Sequence, residues 1–163
     1  MDRNQVAEVM GKPISQELLG SSIPARLAYV GRDGDPRVVP VAFLWNRAQL
    51  VVCSLPAMAK VRALQQNPRV AITVDTQDHY PPRGVLLVRG TARLELVNGV
   101  PDEYVEASRK LVPDTEFGAW EAEVRGLYEE MVRITITPHW AKLIDFETTI
   151  PQAVEDLVRA RMR

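Results

Sequence analysis

The residues that could do chemistry lie where one predicted strand ends and a helix begins. Ser54 closes an apolar strand, and Lys60 falls in the first turn of the helix that follows. A helix N-terminus presents unpaired N–H groups and a partial positive charge, to which a serine hydroxyl and a lysine ammonium add. Lysine is unfavourable at this end of a helix, so a bound anion, most naturally a phosphate, would relieve the conflict. An ordinary surface lysine is the alternative.

A second candidate is the proline inside the apolar segment 38–45. Pro40 cannot donate a hydrogen bond to a neighbouring strand. It therefore predicts a sheet edge, a bulge, or a place where something other than a strand lies alongside. A plain edge strand and a flat ligand against that edge both fit this pattern.

A third candidate is the polar loop 77–83, which joins His79, Tyr80 and two prolines to Arg83. Rigid loops that carry an aromatic ring and a cation often line pockets. A plain turn with solvated side chains fits equally well. Beyond these candidates, the sequence contains no nucleophile elbow, phosphate-binding glycine loop or dinucleotide-binding turn.

The elements that must position these residues are mostly strands. Three early apolar segments, joined by tight turns at Asp33-Gly34 and Asn46-Arg47, predict an antiparallel meander. Gly90 within a long apolar segment predicts a bulge that bends it. Closing the sheet would remove its edges, so we expect a small, mainly β barrel with added helices. The predicted strands span 23–31, 37–45, 49–54, 69–76, 84–97, 132–137 and 140–146, and the predicted helices span 15–19, 57–66, 101–112, 117–131 and 151–161.

Composition excludes several classes of function. Lys and Arg number 20 against 21 Asp and Glu, which argues against a general nucleic-acid binder. The single cysteine, Cys53, excludes an internal disulfide and makes a cysteine-based zinc site implausible. The two histidines are too few for a three-histidine metal site. The longest apolar run, 38–45, falls far short of the ~18 residues of a membrane helix. The polar N-terminus lacks the pattern of a signal peptide, so we expect a cytoplasmic protein.

The 163 residues suit one domain with no internal linker. We expect a single domain over 1–163, with an N-terminal extension over 1–22 and a C-terminal helix over 148–163. The apolar residues of that helix share one face, so it should pack on something. A second copy of the chain is the partner we expect, because this surface is more apolar than one small subunit covers easily.

Several stretches of the chain together resemble the pyridoxamine 5′-phosphate oxidase-like flavin-binding proteins. The similarity is closest to the actinobacterial branch that includes flavin- and deazaflavin-dependent oxidoreductases. It covers residues 23–97 well and 137–147 more loosely. The stretches that carry it are 28–31, 34–41, 50–54, 59–64, 67–71 and 88–94.

The resemblance implies a split antiparallel β-barrel of about six to seven strands that forms a homodimer, with two cofactor sites at the subunit interface. It implies FMN as cofactor, or alternatively the 8-hydroxy-5-deazaflavin coenzyme, and hydride transfer to or from a small organic substrate. The cofactor-binding positions that it assigns are Val38, Val39 and Pro40 beside the ring, and Ser54, Ala59 and Lys60 at the phosphate. It also includes Cys53, with no separate role, and Arg83 from the partner subunit.

Two departures from the family pattern limit this interpretation. Met58 stands where many relatives carry an arginine, which weakens the expected grip on phosphate. The C-terminal substrate motif of true pyridoxamine phosphate oxidases is not recognisable, so a dedicated vitamin B6 oxidase is not expected. No proton donor is assigned, although His79 and Tyr80 are candidates. The alternatives are a non-catalytic carrier of flavin, haem or lipid, and a dimeric module without a cofactor.

Overall fold

The computed structural model describes residues 1–75, 83–146 and 152–161, which form an antiparallel sheet with helices around it. The strands are β1 (Ala25–Val30), β2 (Pro36–Val41), β3 (Leu44–Trp45), β4 (Leu50–Ser54), β5 (Arg69–Asp75), β6 (Gly84–Asn98) and β7 (Glu130–Asp145). The helices are α1 (Arg3–Gly11), α2 (Pro13–Gly20), α3 (Ala59–Gln66), α4 (Asp102–Arg109), α5 (Asp114–Leu127) and α6 (Gln152–Arg161).

The sheet curls into a barrel that is split between two strands. Its strand order in the described residues is β2-β1-β5-β6-β7-β4-β3, and each neighbouring pair is antiparallel. The edge strands β2 and β3 are joined by only Ala42 and Phe43, so the two edges of the sheet must come close together. The predicted split antiparallel barrel of six to seven strands is confirmed.

The prediction of one strand over 37–45 within a meander was wrong. The segment forms β2 and β3, which lie at opposite ends of the strand order. Phe43, only 3% exposed, enters the core at the break. Apolar periodicity continues across the break because both halves bury residues in the same barrel, so the sequence pattern hides the change of partner.

The prediction of two strands over 132–137 and 140–146 was also wrong, because they form the single strand β7. The long strand β6 pairs with it throughout, and the register shifts between Arg89 and Gly90. Arg89 lies opposite Trp140 and Gly90 opposite Pro138, so one extra residue of β7 is taken up there. The predicted irregularity at Gly90 is confirmed, although the extra residue lies on β7 and not on β6. It lets the ladder pass a proline that cannot donate a hydrogen bond.

The main core fills the barrel, and helices close its ends. Leu27, Leu50, Leu86 and Ile134 are fully buried inside it. Helix α2 covers the barrel end at which β6 starts. Gly84, the first residue of β6, lies so close to α2 that an added Cβ would be 2.8 Å from Ile14 Cγ2. Helix α3 packs against β1 and β6. A smaller second cluster lies beneath α4 and α5 and includes Val105, Phe117 and Met131.

Helix α1 has no counterpart among the predicted elements. A reciprocal cap starts it: the Asp2 carboxylate accepts from the Gln5 N–H at 2.9 Å, and the Gln5 amide oxygen accepts from the Asp2 N–H at 2.9 Å. Val6 and Met10 then bury one face of the helix. None of the helices in the described ranges has the length and apolar character needed to cross a membrane.

Candidate functional site

Ser54 and Lys60 lie on either side of the turn from β4 into α3. Strand alternation places Leu50, Val52 and Ser54 on the barrel side, and Ser54 is only 5% exposed. Lys60 is the second residue of α3. The N-cap residue, Met58, makes no side-chain hydrogen bond to the helix. The first-turn N–H groups of α3 therefore have no side-chain acceptor at the cap.

The polar groups at this turn lack partners among the described residues. Lys60 is half-buried and makes no ion pair there, and the Ser54 hydroxyl makes no hydrogen bond there. Burial of the Lys60 amine lowers its pKa, because the charged form loses solvation. An anion bound beside it would replace that lost solvation. The site therefore has the donors that a phosphate group needs.

A cleft of about 360 Å³ opens between α3 and the β1–β2 turn. Ala59 forms part of its wall, and Arg32, Arg37 and Arg62 also line it. Asp33 accepts a hydrogen bond from the Arg37 guanidinium, so these two charges compensate each other. Arg32 and Arg62 have no carboxylate partner in the parts of the chain that the structure describes. The cleft is consequently cationic, and Ala59 connects it to the start of α3, although Ser54 and Lys60 are not among its lining residues.

Sequence reasoning missed these three arginines because they come from separate elements. Arg32 and Arg37 flank the turn after β1, and Arg62 lies on α3. The one available signal was the position of Arg62, two residues after Lys60 on the same helix. Asp33 lies in the same turn, where its carboxylate accepts a hydrogen bond from the Asp35 N–H. This hydrogen bond and the Arg37 guanidinium both lower the pKa of the Asp33 carboxyl group.

Strand β2 is an edge strand, as Pro40 predicts, and it leads away from the cleft. Val39 packs against the barrel core, whereas Val38, 64% exposed, and Pro40 face outward. Prolines cannot donate to the β1 ladder, so the nitrogens of Pro36 and Pro40 belong on the free side of the strand. The N–H of Val38, two residues from each, lies on that same side. The edge thus offers a peptide group to a ligand while prolines hinder pairing with another strand.

Neither Cys53 nor Arg83 lines the cleft beside α3. The Cys53 side chain packs against the second cluster, on the opposite face of β4 from Ser54. Burial, together with the nearby Glu103 carboxylate, raises the pKa of the Cys53 thiol to about 12. Arg83 precedes β6 at the barrel end that α2 covers, where its guanidinium lies 3.5 Å from the Glu17 carboxylate.

Two candidates remain, the proton donors that the sequence offered. His79 and Tyr80 fall outside the described residues. Within the described ranges, no three histidine, cysteine or acidic side chains come together as a metal site would require.

The sequence matches the family model for pyridoxamine 5′-phosphate oxidase over residues 13–137. The chain belongs to this family. The resemblance drawn from the sequence is thereby confirmed, and the matched region runs from α2 into β7. Helices α1 and α6 lie outside it. No protein with a curated description matches the sequence.

Solved structures support the family membership. An F420 reductase is 28% identical with a TM-score of 0.61, and the match covers 78% of this chain and 94% of that chain. The heme storage protein HutZ of Vibrio cholerae is 20% identical with a TM-score of 0.58, over 82% of this chain and 93% of that one. General Stress Protein 26 of Bacillus anthracis is 17% identical with a TM-score of 0.58, over 86% and 94%. The last two similarities concern the fold alone.

Proposed function

We propose that this family member is an oxidoreductase that binds FMN or the 8-hydroxy-5-deazaflavin coenzyme and transfers a hydride to or from a small organic substrate. The observation that carries the proposal is the uncapped start of α3, where Lys60 lacks an anionic partner in the described chain, beside a cationic cleft. Similarity to an F420 reductase supports a flavin-type cofactor. The cellular location that goes with this proposal is the cytoplasm.

Each part of the site takes a separate role in binding. The Lys60 ammonium, the Ser54 hydroxyl and the N–H groups at Ala59 and Lys60 hold the phosphate, because together they supply charge and directed donors. The outward edge of β2 at Val38 and Pro40, with Val39 between them, lies against the ring. The Cys53 side chain faces away, so only its backbone can contribute.

When bound, the cofactor ring supplies the hydride chemistry, and the protein orients it and excludes water. Strand β2 fixes the edge of the ring through its backbone, which moves less than a side chain. The described residues at the cleft include no free carboxylate or histidine that would serve as a general acid or base. This arrangement suits a reaction in which the hydride moves directly between the ring and the substrate.

A second copy of the chain would complete the site. Arg83 directly precedes β6, at the barrel end that α2 covers, so we assign it to the cofactor bound by the partner subunit and not to the one bound by its own chain. The apolar face of α6 supports the same arrangement, because Val154, Leu157 and Val158 are 43%, 65% and 47% exposed in the single chain. Covering this face with a partner would remove it from water.

The test is a titration of the purified protein with FMN and, separately, with the deazaflavin coenzyme, followed by absorbance and fluorescence. We expect saturable binding of one of them, and a weakening of about 10- to 100-fold in Lys60→Ala, the loss typical of a charge-assisted hydrogen bond. The exposed Lys12 serves as control, and Lys12→Ala should bind normally. Unchanged affinity in Lys60→Ala would contradict the phosphate assignment, and binding of neither cofactor would contradict the proposed function.

A carrier that holds the cofactor without turnover is the second candidate. Met58, 44% exposed at the N-cap of α3, places an apolar side chain where many relatives carry an arginine. To distinguish the carrier from the enzyme, the bound cofactor is reduced chemically and the complex is then mixed with candidate electron acceptors. Reoxidation that depends on an acceptor supports the enzyme, whereas its absence across acceptor classes supports the carrier.

A further inference from the structure

A second cavity, of about 340 Å³, lies between α1, the β3–β4 turn and the middle of β7. The β3–β4 turn enters β4 at Leu50, so the cavity lies at the opposite end of that strand from Ser54. Most of its wall is apolar and includes Val6, Met10 and Pro138. Its volume is at the lower end of the roughly 300–1,000 Å³ typical of ligand pockets. The cavity is thus suited to a small molecule with an apolar body.

Helix α1 forms one wall of this cavity with residues that share a helical face. Arg3, Val6, Ala7 and Met10 are spaced three or four apart, so the same side of the helix meets the cavity. Val6 and Met10 are buried, and Ala7 is exposed. The family match begins at residue 13, so this wall is contributed by a part of the chain outside the matched region.

Two arginines lie at the cavity without a counter-charge. Arg3 on α1 and Arg47 on the β3–β4 turn both line it, and both are exposed. Neither guanidinium has a carboxylate partner among the residues that the structure describes. A guanidinium pair beside an apolar cavity matches a molecule that has an apolar body and one carboxylate.

The turn that carries Arg47 is held in a fixed and unusual conformation. Arg47 has a φ of 73°, in the left-handed region that favours glycine. The Asn46 amide oxygen accepts from the N–H groups of Ala48 and Gln49 at 3.1 and 2.8 Å. The Gln49 amide donates to the Thr137 hydroxyl at 2.8 Å, which ties the turn to β7. These hydrogen bonds place the backbone of Arg47 at the cavity.

Trp45, which also lines the cavity, has an unsatisfied hydrogen-bond donor. Its indole Nε1 is buried and has no acceptor in the described chain. Buried N–H groups without partners are rare in native proteins. Because Trp45 is one of the residues that line the cavity, its indole ring would meet a molecule bound there. The same N–H gives a signal that reports on occupation of the cavity.

We propose that this cavity binds a small amphipathic monocarboxylate, an aromatic or branched aliphatic acid. Its apolar body lies between α1 and Pro138, against the Trp45 ring, and its carboxylate lies between Arg3 and Arg47. This site is separate from the proposed flavin site and does not depend on it.

The test uses nuclear magnetic resonance of the full-length, ¹⁵N-labelled protein, with phenylacetate and its neutral isostere phenylacetamide as probes. The Trp45 indole signal, assigned by its loss in Trp45→Phe, should shift saturably with phenylacetate while the signals of Trp120 and Trp140 stay in place. Phenylacetamide should bind at least fivefold more weakly. No shift of the Trp45 signal with either probe, or equal binding of both, would overturn the proposal.

Variants at the rim of the cavity test the role of its two arginines. Arg3→Gln and Arg47→Gln should each weaken phenylacetate binding about 3- to 10-fold, the range for ion pairs at an exposed rim. The control is Arg93→Gln, which should bind phenylacetate normally, because the Arg93 side chain is 81% exposed and does not line the cavity. Unchanged affinity in both rim variants would overturn the role of the two arginines and with it the proposal.

A cavity-filling variant tests the location. Ala7→Phe should abolish binding, while the matched change Ala122→Phe on an exposed position of α5 should have no effect. Normal binding by Ala7→Phe would overturn the proposed location. Lys60→Ala should bind phenylacetate normally even if it no longer binds flavin. Loss of phenylacetate binding in Lys60→Ala would mean that the acid occupies the flavin site, which also overturns the proposal.

Discussion

Among single residues, Lys60 is the group whose protonation should control cofactor binding. Burial holds the pKa of its amine below the usual 10.5, and a bound phosphate dianion would favour the charged form. Affinity for the cofactor should therefore be constant near neutral pH and fall as the pH rises through that lowered pKa. Dissociation constants measured between about pH 7 and about pH 11 test this expectation, because that range extends just above the ordinary pKa of lysine.

The matched control for this pH dependence is Lys60→Arg, because a guanidinium stays charged throughout that range. Because both proteins bind the same cofactor, the effect of the cofactor's own protonation is the same in both pH profiles and cancels when they are compared. The affinity of Lys60→Arg should change less with pH than that of the natural chain. Equal pH dependence in both proteins would show that Lys60 does not contact the phosphate.

Cys53 should be chemically inert in the folded protein. Burial, with the nearby Glu103 carboxylate, raises its thiol pKa to about 12 from a usual 9.0, so its thiolate fraction at pH 8 is about a thousandfold lower than that of a free thiol. Reaction with a thiol-specific reagent at pH 8 should be slow for the native protein and fast after denaturation. Fast native labelling would contradict the packing of Cys53 beneath α4 and α5.

At the scale of elements, the β6–β7 ladder depends on the absence of a side chain at Gly90. A Cβ there would lie 2.7 Å from Ile136 Cγ2 and 2.8 Å from the Thr137 carbonyl oxygen. We therefore expect Gly90→Ala to lower the free energy of unfolding by about 1–3 kcal/mol, the range for overpacked cores. Urea denaturation of the variant measures this.

The matched control is Gly118→Ala on α5, where an added Cβ would meet nothing within 4 Å. Because alanine favours helix more than glycine, this change should raise stability by up to about 1 kcal/mol. Equal effects of the two substitutions would contradict the close approach of β6 and β7 at the bulge.

At the scale of the whole molecule, α6 should be covered by a second copy of the chain. Its residue Leu157 is 65% exposed in the single chain. We expect sedimentation at micromolar concentration to show a dimer, and Leu157→Glu to weaken it, because a charge would be buried at the interface.

Leu127, 63% exposed on α5, provides the comparison, and Leu127→Glu should leave the dimer intact. A monomeric natural chain would contradict the two-subunit site as well as the role of α6. A dimer that persists in Leu157→Glu would contradict only the role of α6.

Local signals in the sequence predicted much of the candidate site. The strand end at Ser54, the helix start near Lys60 and the edge position of Pro40 all follow from short-range chemistry: alternation, helix-terminal charge and the missing proline N–H. The grouping of Arg32 with Arg62 could not be predicted in the same way. The two residues belong to separate elements, and their proximity depends on how α3 packs against β1.

The sequence by itself determined the strand-rich fold class, the bulge beside Gly90 and the family, because each depends on local pattern or on a combined motif. The residues proposed to hold a phosphate rest on the same kinds of pattern and stay a prediction. Only the tertiary structure decided which strands pair. The segment 37–45 changes partners at Phe43, and β7 continues past Pro138, because hydrogen bonds to distant strands override the local break. Both cavities likewise exist only after elements far apart in sequence have packed together.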